Sequence, residues 1–571
     1  MKQSKRILAA LLALMLVLSL AACAKTPASS AAPTGSQTTE SQTKKPYYNK
    51  EGLPICDETI TIKVSGQNYD STNWADTYFV KHTGERYGIQ WDVNPIEKDA
   101  WENQFALLLS TDSLPDLIVG SQSDKALING YGDDGFFLDM NQYKDLMPNL
   151  WKYFEEFPDF AGYSQTADGK LYGLGSMRSD RISCAMGYGW IKNSWLEKVG
   201  MEAPTTIDEL YKVLVAFRDQ DANGNGDPND EIPMSITIGR ESAQRVDWML
   251  KAAFGIISIN ANYMQYADKD GKVGIYDTTD NYRNYLTWLN KLWSENLLDH
   301  QTFTQSTAEL EDKIRSDRTG LTGDWSNLTY ALNVDGQSCW YDYTMFTAFT
   351  SDYVDHKTYT LYPSNSGGCR YFISAKTQYP EAICRMTDDF YTDEGRIFLT
   401  SGEEGKTFDW KTDSFGAKTA VSTAYAEKAG LSTSDYGKTV ALINPLWTSG
   451  LPAKNMMIIG SDDATLDKMI AEGADDNYVW PAMMEKSLRE CEVITSFPFL
   501  VYDSETAAKR ASLFTDINLY LQQMQTSFIN GDVPLNDENW NAYLKKLDEI
   551  GLQKVLEIDQ KAYDNYVAAL K

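Results

Sequence analysis

Histidine is nearly absent from this 571-residue chain, which holds only His82, His300 and His356, no two of them at ligand spacing. A Ser-His-Asp triad or an imidazole-built zinc centre therefore has little to draw on. Cysteine does not replace it. Cys23, Cys56, Cys184, Cys339, Cys369, Cys384 and Cys491 lie far apart with no CxxC pair, so zinc is not expected and disulfide pairing is not readable from spacing. Positive charge is also scarce: 52 Lys and Arg face 80 Asp and Glu, a formal net charge of −28. That balance argues against nucleic acid and against docking on anionic lipid, which both need a basic face. It suits neutral or cationic ligands, and it leaves open an anionic ligand held by a local arginine. No internal repeat is visible. The stretch "GEEGKTF" (Gly402–Phe408) lacks the first glycine of a phosphate loop, and Glu403 and Glu404 would repel phosphate, so ATP binding is rejected. Nothing singles out a carboxylate pair for glycoside hydrolysis among so many acids.

What is present begins with an export signal. Lys2, Lys5 and Arg6 precede an apolar run, Ile7 to Leu20, that is shorter than the ~20 residues of a spanning helix. It ends in Leu20-Ala21-Ala22-Cys23, which resembles the bacterial lipobox and marks 1–22 as the signal and Cys23 as the lipidated residue. Without Lys2, Lys5 and Arg6 the mature chain carries about −31. From Ala24 to Lys50 the chain is mostly Ser, Thr, Ala, Pro, Gln and Gly, a composition that cannot bury a core. Residues 23–56 are thus expected to tether the protein on the outer face of a membrane, with a relaxed reach of about 30 Å.

The rest is long enough for two or three domains. "ETITIKVSG" and "YGIQWDVNPI" read as strands, Trp74 to Tyr87 as a helix between them, and "WENQFALLLSTDSLPDLIVG" as a helix, a break at Pro115 and a strand at Leu117–Val119. This rhythm predicts a parallel α/β sheet. Farther on, Pro204-Thr205-Thr206 supplies a helix N-cap, and Ile207, Leu210, Leu214 and Phe217 share one face. Amphipathic helices close the chain.

The stretch "DQDANGNGDPNDEIP" (Asp219–Pro233) places Asp221, Asn223 and Asn225 at positions 1, 3 and 5 of an EF-hand-like loop, with Gly226 at the sharp turn. Asp227 would ligate through its carbonyl. Position 12, glutamate in a regular EF-hand, is Ile232; Asp230 and Glu231 arrive earlier, and which of them closes the shell stays open. A calcium ion is expected here, as a brace for a lobe and not as a reaction centre. The competing reading is a solvated Asn-Gly turn.

"FALLLSTDSLPDLIVG", "DGKLYGLG", "WIKNSWLEKVGMEAPTTIDELYKVLVAFRDQDANGNGDPNDEIP", "WLNKLWSENLLDHQTFTQ", "EAICRMTDDFYTDEGR", "GEEGKTF" and "FINGDV…LEIDQKAYD" together resemble the large lipoprotein extracellular solute-binding proteins, the sugar-capturing subunits of ABC importers in Gram-positive bacteria. The resemblance implies an α/β, two-lobe periplasmic-binding-protein (Venus flytrap) fold with discontinuous lobes. It implies crossings near Arg178–Cys184, Glu311–Asp317 and Tyr371, and so 57–183 plus 316–371 as lobe 1 and 184–315 plus 372–571 as lobe 2. The last helices would pack on lobe 2. The family's own acidic loop is similarly shortened and ends in Asp-Glu-Ile-Pro.

Sugar faces stack on aromatic rings while amides and carboxylates meet the hydroxyls, and ligands of open α/β sheets sit at strand carboxyl ends. The residues so selected are Trp74, Gln122, Tyr188, Trp325, Trp447 and Trp480. Trp190, Trp195, Trp248, Trp288 and Trp293 are expected in the core. The expected function is non-enzymatic: a monomer that captures an oligosaccharide by lobe closure and delivers it to an ABC permease. The alternatives are a secreted glycoside hydrolase or lyase, or the same fold binding a peptide or another nutrient.

Overall fold

The computed structural model describes residues 47–569 apart from 69–71, 123–124, 167, 176–179, 186–187, 228, 239–246, 259–263, 325–332, 335–336, 339–341, 362–368, 417, 441–456 and 473–477. Cys23, most of the tether, Trp325 and Trp447 lie outside the described residues. Residues 47–59 run as a strap without regular structure. The main elements then follow as β1 (Ile60–Asn68), α1 (Tyr78–Tyr87), β2 (Ile89–Glu97), α2 (Trp101–Ser110), β3 (Leu117–Gln122) and α3 (Lys125–Asp133). Next come β4 (Tyr188–Lys192), α4 (Ile207–Asp219), β5 (Ile232–Met234), α5 (Asp280–Ser294), β6 (Thr319–Asp324) and β7 (Tyr343–Phe346). The chain finishes with β8 (Cys369–Ile373), α6 (Pro380–Asp389), α7 (Asp393–Ser401), α8 (Val479–Arg489), α9 (Ser504–Asn530), α10 (Asp537–Ile550) and α11 (Leu552–Ala569).

A four-stranded sheet in the order β8-β3-β1-β2 organises the first body, with β1 parallel to β2 and β3 and with β8 antiparallel to β3. Successive residues feed opposite faces. Leu117, Val119, Tyr371 and Ile373 enter one core with Val64, Phe79, Met386 and Phe398; Ile118 and Phe372 enter the other with Trp101, Phe105 and Phe137. Burial on both faces is why these strands read as unbroken apolar runs. The Thr77 side chain caps α1 by accepting from the Val80 amide, and Gly88, at φ 72°, ends it in the left-handed region.

The second sheet has the order β7-β4-β6-β5, in which β5 is parallel to β6 and β4 runs against both of its neighbours. Its core takes Trp190, Trp195, Leu321 and the expected α4 face of Ile207, Leu210, Leu214 and Phe217. Leu521, Phe528, Tyr543 and Leu547 of the closing helices join the same core. Trp248 is buried and Trp288 and Trp293 are partly buried against this core. A capping box starts α4: Thr206 Oγ1 accepts from the Glu209 amide at 3.1 Å, and Glu209 accepts from the Thr206 amide at 3.3 Å. Thr206→Ala is expected to cost about 1 kcal/mol, read as a lower urea midpoint.

The expected lobe boundaries need correction. Strands β6 and β7, assigned to lobe 1 by the 316–371 segment, pair in the second sheet, and Leu310 and Ile314 beside the expected Glu311–Asp317 crossing belong to the second core. Helices α6 and α7, assigned to lobe 2, bury Ile383, Met386, Phe398 and Leu399 in the first core. The physical reason is that β8, running antiparallel beside β3, returns the chain to the first sheet, so the following helices cover that sheet's face. The first crossing falls between Leu174, which bridges to Tyr371, and Tyr188 of β4. The strap is fixed to the first body: Tyr47 donates to Glu381 Oε2 at 2.6 Å, and Arg385 donates to the carbonyls of Asn49 and Gly52.

Candidate ligand cleft and cation loop

Parallel pairing puts the carboxyl ends of β1, β2 and β3 (Asn68, Glu97 and Gln122) along one edge of the first sheet, with Cys369 of β8 opposite Gln122. In the second sheet the last residue of β6, Asp324, pairs with Tyr188, and the last of β7, Phe346, pairs with Gly189. Gln122 and Tyr188 thus occupy sheet-edge positions beside the chain's passage between bodies. Two buried acceptors stand at the same edges and were missed in the sequence. Asn68 is 3% exposed; its Nδ2 donates to the Thr72 carbonyl at 3.0 Å, while its Oδ1 has no hydrogen-bond partner among the described residues. Thr237, three residues beyond β5, likewise has a buried Oγ1 without a partner among the described residues. Unsatisfied buried polar atoms are rare, and at a strand end they mark a place where a ligand can supply the missing bond. The available signal was polarity directly after a buried strand, "SGQN" and "MSITIG". Arg370 lies at the irregularity between Cys369 and Tyr371, half-buried and without an ion pair among the described residues. Bulges often re-aim a side chain at such an edge.

Two expected ring platforms are placed elsewhere. Trp74 is fully buried in the first core, and its indole fits over β1 because position 66 is glycine: a Cβ there would lie 2.8 Å from the ring and 2.0 Å from the Val119 carbonyl oxygen. Its face is not available to a ligand, which corrects that expectation. Trp480 stands in α8, half-buried against two cores, not in a loop. Pro481 falls in the first turn of the helix, where its missing N–H costs nothing.

The acidic loop folds on itself through its own side chains. Asp221 accepts from the Gly226 amide at 3.2 Å, Asn223 Oδ1 from the Asn225 amide at 2.9 Å, and Asn225 Oδ1 from the Asp227 amide at 2.7 Å. The side-chain Nδ2 groups of Asn223 and Asn225 donate to the two oxygens of Asp230 at 3.1 and 2.9 Å. Gly224 and Gly226, at φ 74° and 93°, make the left-handed turns. At its end, Ile232 leaves the loop for β5, its amide donating to the Arg318 carbonyl at 2.8 Å, so the EF-hand's twelfth position is taken by a strand. Glu231 is the informative residue. Both of its carboxylate oxygens are buried, and among the described residues no well-formed hydrogen bond reaches either one, the backbone amides of Glu231, Asn223 and Ala222 lying close but off hydrogen-bond geometry. Burial pushes its pKa up, Asp230 adds to the rise, and nearby backbone amides of Glu231, Asn223 and Ala222 only partly offset it. Among the described residues no three His, Cys, Asp or Glu side chains gather at metal distances. An inward, unpaired carboxylate beside carboxamide and backbone oxygens fits a hard cation of the calcium type.

No family model matches the chain. It is 24% identical over 550 residues, 94% of its own length and 95% of the relative's, to the fructooligosaccharide ABC transporter substrate-binding protein FusA of Streptococcus pneumoniae. The chain is a homologue of ABC-transporter substrate-binding proteins. Its fold matches the HMO-binding, ABC-transporter-associated solute-binding protein of Bifidobacterium longum infantis with a TM-score of 0.67, at 21% identity over 89% of this chain and 99% of that one. It also matches an EF-hand mutant of FusA in complex with fructo-nystose, with a TM-score of 0.64, at 20% identity over 89% of this chain and all of that one. These likenesses show a two-lobe fold, and the closing helices share their core with the second sheet. No helix among the described residues is long and apolar enough to cross a membrane.

Proposed function

We propose that this protein captures an oligosaccharide between its lobes outside the cytoplasmic membrane and delivers it to an ABC permease, with no chemistry of its own. The observation that carries the reading is the end-to-end likeness to a substrate-binding protein for such sugars. The strand-end acceptors Asn68 and Thr237, with Gln122, Tyr188 and Arg370 on the same edges, suit the hydroxyls of a neutral glycan. Trp325 and Trp447 are the proposed ring platforms. Both lobes touch the ligand only when closed, so binding shifts the population toward closure. The first lobe is taken as 47–174 with 369–440, the second as 188–361 with 479–569, and the protein as a monomer held by a lipid on Cys23. Calcium in the Asp221–Glu231 loop braces the second lobe through β5.

A panel of oligosaccharides and peptides tests this. Some glycan is expected to change tryptophan fluorescence and to raise the melting temperature, by about 2.7 kcal/mol of stabilisation at a hundredfold excess over Kd, with no new reducing ends after long incubation. Released product would establish the hydrolase or lyase reading; a response to peptides alone would remove the glycan.

A further inference from the structure

Beyond α7 the chain forms a two-stranded antiparallel ribbon, Asp409–Thr412 with Lys418–Val421, that joins no larger sheet. A ribbon of two strands is marginal by itself, and none of these strand residues is buried. Its base stands on the first body. Thr407 donates to the Ser401 carbonyl at the end of α7 at 2.6 Å, and the helix Thr433–Val440 just beyond the ribbon packs on α1 and α7. Its tip reaches farther. The Phe415 ring lies 4.8 Å from that of Tyr478 and joins a small core of Ile182, Ile458, Leu466, Met469 and Ala482. Asp413 divides its oxygens: Oδ1 accepts from the Phe415 amide at 3.0 Å and shapes the turn, while Oδ2 accepts from the Tyr478 hydroxyl.

That small core belongs to the second body, because α8 serves both: Val479, Met484 and Leu488 enter the second core and Ala482 the small one. The same helix holds the first crossing, which falls between Leu174 and Tyr188. Glu485, with no exposed surface, accepts from Arg181 Nε at 2.8 Å and from Arg489 Nε at 2.9 Å, and Ile182 packs in the small core. Two arms of the first body thus land on one patch of the second. The crossing is covalent and survives any lobe motion; the ribbon tip is held only by a ring contact and a hydrogen bond. We infer that the tip is an interlobe clasp: Asp413 and Phe415, seated on Tyr478, restrain the lobes beside the crossing, and their release frees the lobes to separate. The inference rests on the division into two lobes and not on the identity of the ligand.

Hydrogen exchange of the intact protein without sugar, read by mass spectrometry, tests the clasp. A remote reporter exists. Helix α3, anchored in the first body through Ile128, meets α9 of the second. Phe415→Ser removes the ring from the tip, and Tyr478→Phe removes only the hydroxyl. Both are expected to speed exchange at residues 409–416 and also in α3 and the first turns of α9, by about two- to tenfold, the equilibrium factor that one ring pair or one hydrogen bond supplies. The radius of gyration from small-angle scattering should rise with it. Acceleration confined to the ribbon and the small core overturns the clasp, as does no acceleration at all. Acceleration throughout, the sheet β8-β3-β1-β2 included, is general loss of stability and also counts against it. Tyr478→Phe keeps the ring in its core, so the test stands even where Phe415→Ser fails to fold.

Discussion

Asp559→Ala is expected to lower the stability of the second lobe by about 3–5 kcal/mol, the usual result of removing one partner of a buried ion pair. Asp559 is fully buried on α11 and takes three donors: Arg510 of α9 at 2.5 and 3.1 Å, Tyr502 at 2.6 Å, and Gln265 at 2.9 Å. Arg510 is itself only 16% exposed. Truncation therefore leaves a guanidinium, a phenol and an amide facing a small apolar hole. The carboxylate joins the last helix to α9 and to the strand Gln265–Ala267, so the damage should spread across the closing helices. A urea titration followed by circular dichroism reads it. An unchanged midpoint would show that water satisfies the three donors at little cost.

Calcium removal is the second large effect. In chelator the protein should melt at a lower temperature, and calcium at a hundredfold excess over Kd should restore about 2.7 kcal/mol. The residue to change is Glu231, because its buried, unpaired oxygens are what the cation would satisfy. Glu231→Gln should abolish the calcium-dependent rise. In chelator the same variant should be at least as stable as the parent, since the buried carboxylate that lacked a partner is gone. Equal calcium responses in parent and variant would assign the shell's closure to Asp230 instead, and no response in the parent would leave the loop as a turn held by its own amides.

Local features were legible in the sequence wherever a short-range rule decides them. The Thr206 cap, the α4 face from Ile207 to Phe217 and the strand at Leu117 all follow from neighbours within a few residues. What escaped is non-local. β6 could be recognised as extended, but its membership of the second sheet depends on β4 and β5, which lie more than eighty residues upstream. The fate of α6 and α7 likewise depends on which sheet β8 joins. Trp74 was misplaced because its partner is an absence: the bare Gly66 in β1 turns a surface-looking tryptophan into a core one. Glu231 shows the converse. The spacing pointed to a cation loop, yet only the fold reveals that its carboxylate, and not the side chain at position 12, is held inward with no well-formed hydrogen bond among the described residues.

The strap at the start of the described chain has a mechanical consequence. Any load arriving through the residues ahead of Tyr47 enters the first lobe alone, through Glu381 and Arg385 on α6 and through the Cys56 amide bonded to the Tyr87 carbonyl. If the chain is leashed at its N-terminus, the first lobe is the stator and the second, with its cation loop and closing helices, is the part that swings.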